Sequence, residues 1–270
     1  MIDMHVHTRR CRHARGSVQD VLAVARLRGM RYLGFAEHLP LPASLLDQDP
    51  RAESYAMPES ELADYVAEVL AVASDGHGTG PRVLLGVEAD LHPGNEAHVR
   101  RLVSSAPFDF VLGSVHFLDG WAFDDPELLD GYDRWDADRL WARYFEDLAT
   151  AAASGIADAI AHPDLPKKFG CSPRTDPREL YEAFAEAVAD AGVAVEVSTA
   201  GLRKPCAEIY PAPGLLAALN RRSVPVTIGS DAHAPEEVGY AYDAAVAALT
   251  DAGYREAVVI VGREMKEVPL

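Results

Sequence analysis

The histidines and carboxylates of this chain are spaced like ligands. His5 and His7 stand one residue apart, His13 follows, Glu37 and His38 are adjacent, and Glu88, His116 and His162 come singly. The stretch Val226-Thr-Ile-Gly-Ser-Asp-Ala-His233 completes the series with Asp231 and His233. Any one of these histidines alone reads as an ordinary core or loop residue. Together they are seven histidines and two carboxylates, Glu88 and Asp231, a thiolate-free donor set that suits zinc, iron or manganese. Nine protein ligands exceed what one ion accepts, so more than one ion is implied. Divalent ions bridged by Glu88 would sit roughly 3.5 to 4 Å apart and hold a shared water as hydroxide near neutral pH.

Charge then suggests the target. Three divalent ions, less Glu88, Asp231 and one hydroxide, leave a cluster of about +3, which would attract a dianionic phosphate monoester and stabilise charge building on its oxygens. Basic residues fall in the same loops: Arg9, Arg10, Arg12 and Arg15 after the first strand, Lys167 and Lys168 after the fifth, Arg203 and Lys204 after the sixth. The four early arginines read as solvated loop charges. Arg203 is expected to grip phosphate through bidentate hydrogen bonds, with Lys204 and Lys168 as further contacts. Glu196 or Glu208 would suit a cationic amino group on the substrate, and Asp164 is a candidate proton donor to the leaving oxygen. The other histidines, His77, His92 and His98, read as surface residues.

Each ligand must be positioned by an element, and the pattern supplies strands. Apolar runs occur at Ile2 to Val6, Tyr32 to Ala36, Val83 to Val87, Phe110 to Val115, Ile156 to Ala161, Val193 to Val197 and Val224 to Ile228. The ligands cluster at their carboxyl ends. Helical spacing separates the strands: from Ser17, from Glu59 to Ala73, Glu96 to Ser104, Asp136 to Ala153, Asp176 to about Ala191, Gly214 to Arg221 and Glu236 to Ala252. Ser17 with Asp20 makes an N-cap arrangement, and Asp176 an N-cap before Pro177. Ala257 to Val261 reads as a last edge strand. Strands alternating with helices give a parallel sheet covered by helices, and seven repeats favour an α/β barrel whose carboxyl face carries the chemistry. The polar, proline-rich stretch at about 39–58 is long enough for a lid or pocket wall.

Composition sets outer bounds. The 270 residues, 49% hydrophobic and 25% charged, are those of an ordinary globule. A net charge of -17 argues against a surface for nucleic acid, and no run is long enough to span a bilayer. Three widely spaced cysteines, Cys11, Cys171 and Cys206, make a disulfide framework improbable. A cytoplasmic location is the default expectation.

The ligand series resembles the metal motifs of the polymerase-and-histidinol-phosphatase (PHP) superfamily. Gly113-Ser-Val-His-Phe-Leu-Asp-Gly-Trp121, Ser198-Thr-Ala-Gly-Leu-Arg-Lys204 with Ile209-Tyr-Pro211, and Gly229-Ser-Asp-Ala-His233 with Val238-Gly239 are similar to its histidinol-phosphatase branch. Ser198 and Leu91 depart from the asparagine and tyrosine frequent there. The resemblance implies a single distorted (β/α)7 TIM-like barrel over residues 1–270 with a trinuclear centre of zinc, iron or manganese. It implies one ion held by His5, His7, Glu88 and Asp231, a second by Glu88, His116 and His162, and a third by His13, His38 and His233. The implied reaction is hydrolysis of L-histidinol phosphate to L-histidinol and phosphate by a metal-bridging hydroxide held by Glu88 and Asp231. Two alternatives follow from the same residues: a phosphoesterase for another small ester, nucleotide or phosphotyrosine, or a non-catalytic metal-binding module.

Overall fold

Seven apolar runs pair side by side in the computed structural model, which describes residues 1–47, 49–74 and 80–270. In chain order the strands are β1 (Ile2–Val6), β2 (Tyr32–His38), β3 (Arg82–Asp90), β4 (Phe110–Ser114), the small hairpin β5 (Phe117–Leu118) and β6 (Trp121–Ala122), then β7 (Ala159–Ile160), β8 (Ala194–Ser198) and β9 (Val226–Gly229). The main sheet runs β1-β2-β3-β4-β7-β8-β9 with every neighbouring pair parallel. Helices α1 (Val18–Leu27), α2 (Ala43–Leu46), α3 (Leu62–Ser74), α4 (Glu96–Val103), α5 (Ala137–Ala153), α6 (Arg178–Ala191), α7 (Pro213–Arg221) and α8 (Tyr242–Asp251) fill the connections. Among the described residues no helix is long and apolar enough to cross a membrane.

The sheet's two ends meet. Beyond β9 the His7 N–H donates to the Ala232 carbonyl at 2.9 Å and the Ala232 N–H to the His5 carbonyl at 3.2 Å, a parallel bridge between β1 and the following turn. Beside it, the Asp3 carboxylate accepts from the Ser230 N–H at 2.9 Å, the Ser230 hydroxyl at 2.5 Å and the Gly239 N–H at 2.7 Å. A buried side chain thus completes what the backbone ladder leaves open.

Alternation along the strands divides the apolar residues into two groups. Leu33, Phe35, Leu85, Val87 and Val111 face outward and pack with α1, α3, α5 and α6. Ala36, Leu84, Phe110 and Leu112 face inward, in one cluster with the last strands, β10 (Glu256–Val261) and β11 (Glu264–Pro269). At Gly34 and Gly86 an added Cβ would come within 2.8 and 2.3 Å of the Phe110 ring, so these glycines make room for the aromatic that fills the barrel. The turn of the β10–β11 hairpin is tied beneath the strands: Gly262 and Arg263 donate to Asp109, and the Arg263 guanidinium reaches Asp158 and the Ile156 carbonyl.

Several expectations are corrected. The terminal strand pairs antiparallel with β11 as a separate hairpin and is no edge of the main sheet. The fifth strand keeps only Ala159–Ile160: Arg263 takes the Ile156 carbonyl and the Asp158 carboxylate, while the Asp158 backbone bonds to Val111 and Ala194. The closing helix does not begin at Glu236: a short turn at Pro235–Glu237 gives way to Gly239 (φ 65°) and Ala241 (φ 49°), and the helix starts at Tyr242. Gly239 spends its N–H on Asp3, which breaks the helical ladder. Helix α6 starts after Pro177, with the Asp176 carboxylate accepting from the Arg178 N–H. The Ser17–Asp20 capping box is present. Of the three histidines read as surface residues, His92 and His98 are half-buried, and His77 lies outside the described residues.

Gly86→Ala should cost about 1–3 kcal/mol through overpacking against Phe110. Urea unfolding checks it, and Phe110→Leu in the same background should recover part of the loss.

Candidate metal centre

Parallel register carries the ligands to one end of the barrel. His38 on β2 pairs alongside Glu88 on β3, and His116 and His162 follow β4 and β7. His5 is the penultimate residue of β1, His7 follows it, and Asp231 and His233 lie just beyond β9. All nine sequence-derived ligands come together. His5 Nε2 is 3.0 Å from His7 Nε2, with Glu88 Oε2 at 3.2 and 3.4 Å from the two and Asp231 Oδ1 at 3.8 and 3.3 Å. Glu88 Oε1 lies 2.9 Å from His162 Nε2 and 3.6 Å from His116 Nε2, while Oε2 lies 3.2 Å from His38 Nδ1. His13 Nε2 and His233 Nε2 are 3.0 Å apart, with His38 in reach.

These contacts cannot be satisfied by neutral imidazoles alone. The Nδ1 atoms of His5, His7 and His116 face the carboxylates of Glu196 (2.7 Å), Glu37 (3.3 Å) and Asp90 (3.1 Å), and those of His13 and His233 face backbone carbonyls. Each Nδ1 must therefore donate, which leaves Nε2 with a lone pair. Lone pairs of His5 and His7 then meet at 3.0 Å beside two carboxylates, and so do those of His13 and His233. Only a cation between them, proton or metal, resolves this. The three sets His5–His7–Glu88, Glu88–His116–His162 and His13–His38–His233 could each hold an ion.

The electrostatics agree. Burial depresses an imidazole, yet the carboxylates override it: Glu196, Glu88 and Asp231 hold His5 well above its ordinary range, Asp231 and Glu37 push His7 up to about 9, and Asp90 with Glu88 pushes His116 up to about 10. Burial and repulsion from protonated neighbours drive His38 and His233 well below the usual value. Burial opposes ionisation of Glu88 and Asp231, but the surrounding imidazoles keep both well below the carboxylate range.

The backbone is strained where it presents ligands. His162 (φ 25°) and Asp231 (φ 49°) occupy left-handed conformations that cost about 1–3 kcal/mol each. Glu196 Oε2 accepts from the His162 N–H at 2.8 Å, and the Arg203 guanidinium donates to the Asp231 carbonyl at 3.0 Å, so each strained residue has a dedicated partner. Gly229 lets this happen: a Cβ there would sit 2.0 Å from Glu196 Oε1 and 2.6 Å from His5 Cβ.

Other expected residues fall into place unevenly. Glu196 is buried beneath His5 with both oxygens engaged, so it orients a ligand and is not free for a substrate amine. Arg203 also donates to the Ser230 carbonyl at 2.9 Å, and its NH1 is buried with no hydrogen-bond partner among the described residues. Lys204 is half-buried beside it. Lys168 is held by Asp124 at 3.1 Å, and Glu208 is an exposed carboxylate 3.2 Å from Lys167. Asp164 is fully buried; Oδ2 accepts from Lys167 and the Ala212 N–H, Oδ1 has no partner among the described residues, and burial pushes its pKa up to about 6. The guanidinium groups of Arg10, Arg12 and Arg15 pair with Glu68, Glu61 and Glu236.

Sequence reasoning missed Asp3, Asp90 and Asp124, and gave Glu37 no role. A signal existed for Glu37 and Asp90, each adjacent to or two residues from a ligand. Cys11 was set aside, yet its Sγ lies within 4.8 Å of ligand atoms of His7 and His233. It remains a thiol, donating to the Thr8 carbonyl, and burial pushes its pKa up strongly.

Metal uptake must displace protons, since below about 9 the His7 ring carries one that an ion has to replace. Zinc affinity should therefore rise with pH toward that value, with proton release on binding near neutral pH. Calorimetry in buffers of differing ionisation enthalpy measures it, and no release would contradict the geometry.

Comparison with known proteins converges on one family. A PHP-domain model matches residues 3–200, more than half of the chain, and a PHP-associated model matches residues 216–247. The chain is 40% identical over 256 residues to a probable histidinol-phosphatase of Deinococcus radiodurans, covering 94% of this chain and 95% of that one. It is 26% identical over 264 residues to the histidinol-phosphatase of Bacillus subtilis, covering 90% and 97%. In fold it is similar to the histidinol phosphate phosphatase of Lactococcus lactis solved with zinc, L-histidinol and phosphate, at TM-score 0.80, 20% identity and 98% coverage of both chains. Sheet, ligand cluster and sequence match agree, and the chain belongs to the PHP domain family.

Proposed function

We infer that this protein is a metal-dependent phosphomonoesterase that hydrolyses L-histidinol phosphate to L-histidinol and phosphate. The observation that carries the phosphatase reading is the meeting of buried imidazole lone pairs around Glu88, within reach of a guanidinium that keeps one donor free. The choice of substrate is supported by similarity to histidinol-phosphatases along nearly the whole chain.

In this reading His5, His7, Glu88 and Asp231 hold one divalent ion, Glu88, His116 and His162 a second, and His13, His38 and His233 a third. Zinc, iron and manganese all suit this donor set. Ions bound there would supply an activated water and neutralise phosphate charge. Arg203 holds the phosphate through NH1, with Lys204 beside it, and the same side chain fixes the Asp231 turn. Lys168 and Glu208 are assigned to the rest of the substrate. Delivery of a proton to the leaving oxygen is assigned to Asp164 through its unpartnered Oδ1. Residues 1–270 act as a single barrel domain, with the excursion at 39–58 as a wall of the pocket. A cytoplasmic setting fits three cysteines that are all free.

Phosphate release from L-histidinol phosphate by the zinc-loaded protein is the direct test. His116→Ala should lower it roughly 100-fold or more, because a bound metal contributes several kcal/mol to transition-state stabilisation. Arg203→Lys should lower kcat/KM about 10- to 100-fold, the worth of a charged hydrogen bond, with most of the change in KM. Faster turnover of nucleotides or phosphotyrosine than of histidinol phosphate would refute the substrate assignment.

A further inference from the structure

One ligand of the outermost set leans on a distant piece of chain. His13 lies in the loop after β1, and its Nδ1 is 2.9 Å from the Cys11 carbonyl and 3.1 Å from the Ser54 carbonyl. The first contact is local and travels with the loop. The second comes from the excursion after β2, whose short 3-10 turn, Pro50–Ser54, is capped by the Asp49 carboxylate on the Arg51 N–H.

That turn is latched down by contacts remote from His13. Ala52 and Ala56 are buried in a small apolar cluster with Leu41, Leu45, Phe117 and Ala122. The Tyr55 hydroxyl donates to the Asp125 carboxylate, and its ring packs 6.0 Å from that of Phe117, on β5. Phe117 directly follows His116. The latch therefore rests on the hairpin that carries one ligand and reaches over another.

His13 can offer Nε2 to an ion only while Nδ1 carries the proton, and its two carbonyl partners select that form. His5 and His7 are buried and oriented by buried carboxylates, whereas His13 is exposed and oriented by carbonyls alone. A cavity of about 580 Å³ behind the excursion, lined in part by Arg12, Leu41, Ala52, Met57 and His98, leaves room for the segment to shift.

We propose that the segment Asp49–Met57, latched through Tyr55 to Phe117 of the β5–β6 hairpin and to Asp125 just beyond it, is the positioning element for His13 and sets the retention of the outermost ion. This rests on the reading of His13, His38 and His233 as a metal site. Among the described residues Tyr55 has no hydrogen bond or ring contact to any residue of the cluster, and Ser54 reaches His13 through its carbonyl while its hydroxyl closes the turn on the Arg51 carbonyl at 2.7 Å.

Zinc release from the loaded full-length protein into a dilute chelator, followed by elemental analysis over time, tests it. Tyr55→Phe removes the latch hydroxyl and keeps the ring; Ala52→Asp forces a charge into the apolar cluster and undocks the turn. Both should release one ion about 10- to 100-fold faster than the wild type, the usual effect of removing a ligand's orienting partner, with the remaining ions unchanged. Wild-type release rates for every ion in Ala52→Asp would overturn the proposal. A wild type that retains only the two inner ions would instead refute the outermost site itself, and the proposal with it.

Discussion

A buried carboxylate surrounded by imidazoles is the constraint from which the rest follows. Glu88 is almost without solvent, yet its two oxygens meet His5, His7, His38, His116 and His162, which arrive from the ends of four strands. Such a group is tolerable only if cations lie between it and its neighbours. The carboxylates behind the ring, Glu37, Asp90 and Glu196, fix which nitrogen faces inward, and they are themselves buried for the purpose. The absence of a side chain at Gly229 and the strained backbone at His162 and Asp231 are further concessions to the same geometry. Stability and function draw on one set of contacts here.

That these nine residues gather in one place is legible in the sequence because they sit at or just beyond the ends of apolar runs. His5-x-His7, Glu37-His38 and Asp231-x-His233 each follow such a run, and a parallel barrel sends every strand end to one face. The alternation of strands and helices gave the fold for the same reason. The orienting carboxylates were harder to see. Glu196 lies inside an apolar strand and invites a substrate role, but a strand residue facing inward near the barrel mouth has only other inward residues to meet, and it met His5. Asp3 looked like an incidental acid in a first strand. Its task, closing β1 onto the turn beyond β9, depends on a contact 227 residues away that no local pattern encodes.

Boundary errors have similar causes. Local spacing favoured a helix from Glu236, and tertiary contacts at Gly239 and Ala241 broke it. The apolar residues before the fifth strand invite an earlier start, while Arg263, from the far end of the chain, takes the Ile156 carbonyl and the Asp158 carboxylate as partners. The last hairpin was half seen: β10 is a strong apolar run, but β11, Glu-Met-Lys-Glu-Val-Pro269, is mostly polar and becomes a strand only through pairing with it.

That hairpin, together with the Phe110 ring wedged across Gly34 and Gly86, closes the lower barrel with apolar side chains. The cluster of imidazoles and carboxylates thus stands on an apolar base at the carboxyl end of the strands. The loops beyond those strand ends carry His13, His116 and Arg203. The guanidinium in one of these loops also holds the turn that presents Asp231 and His233, so a shift of that loop moves more than one part of the site at once.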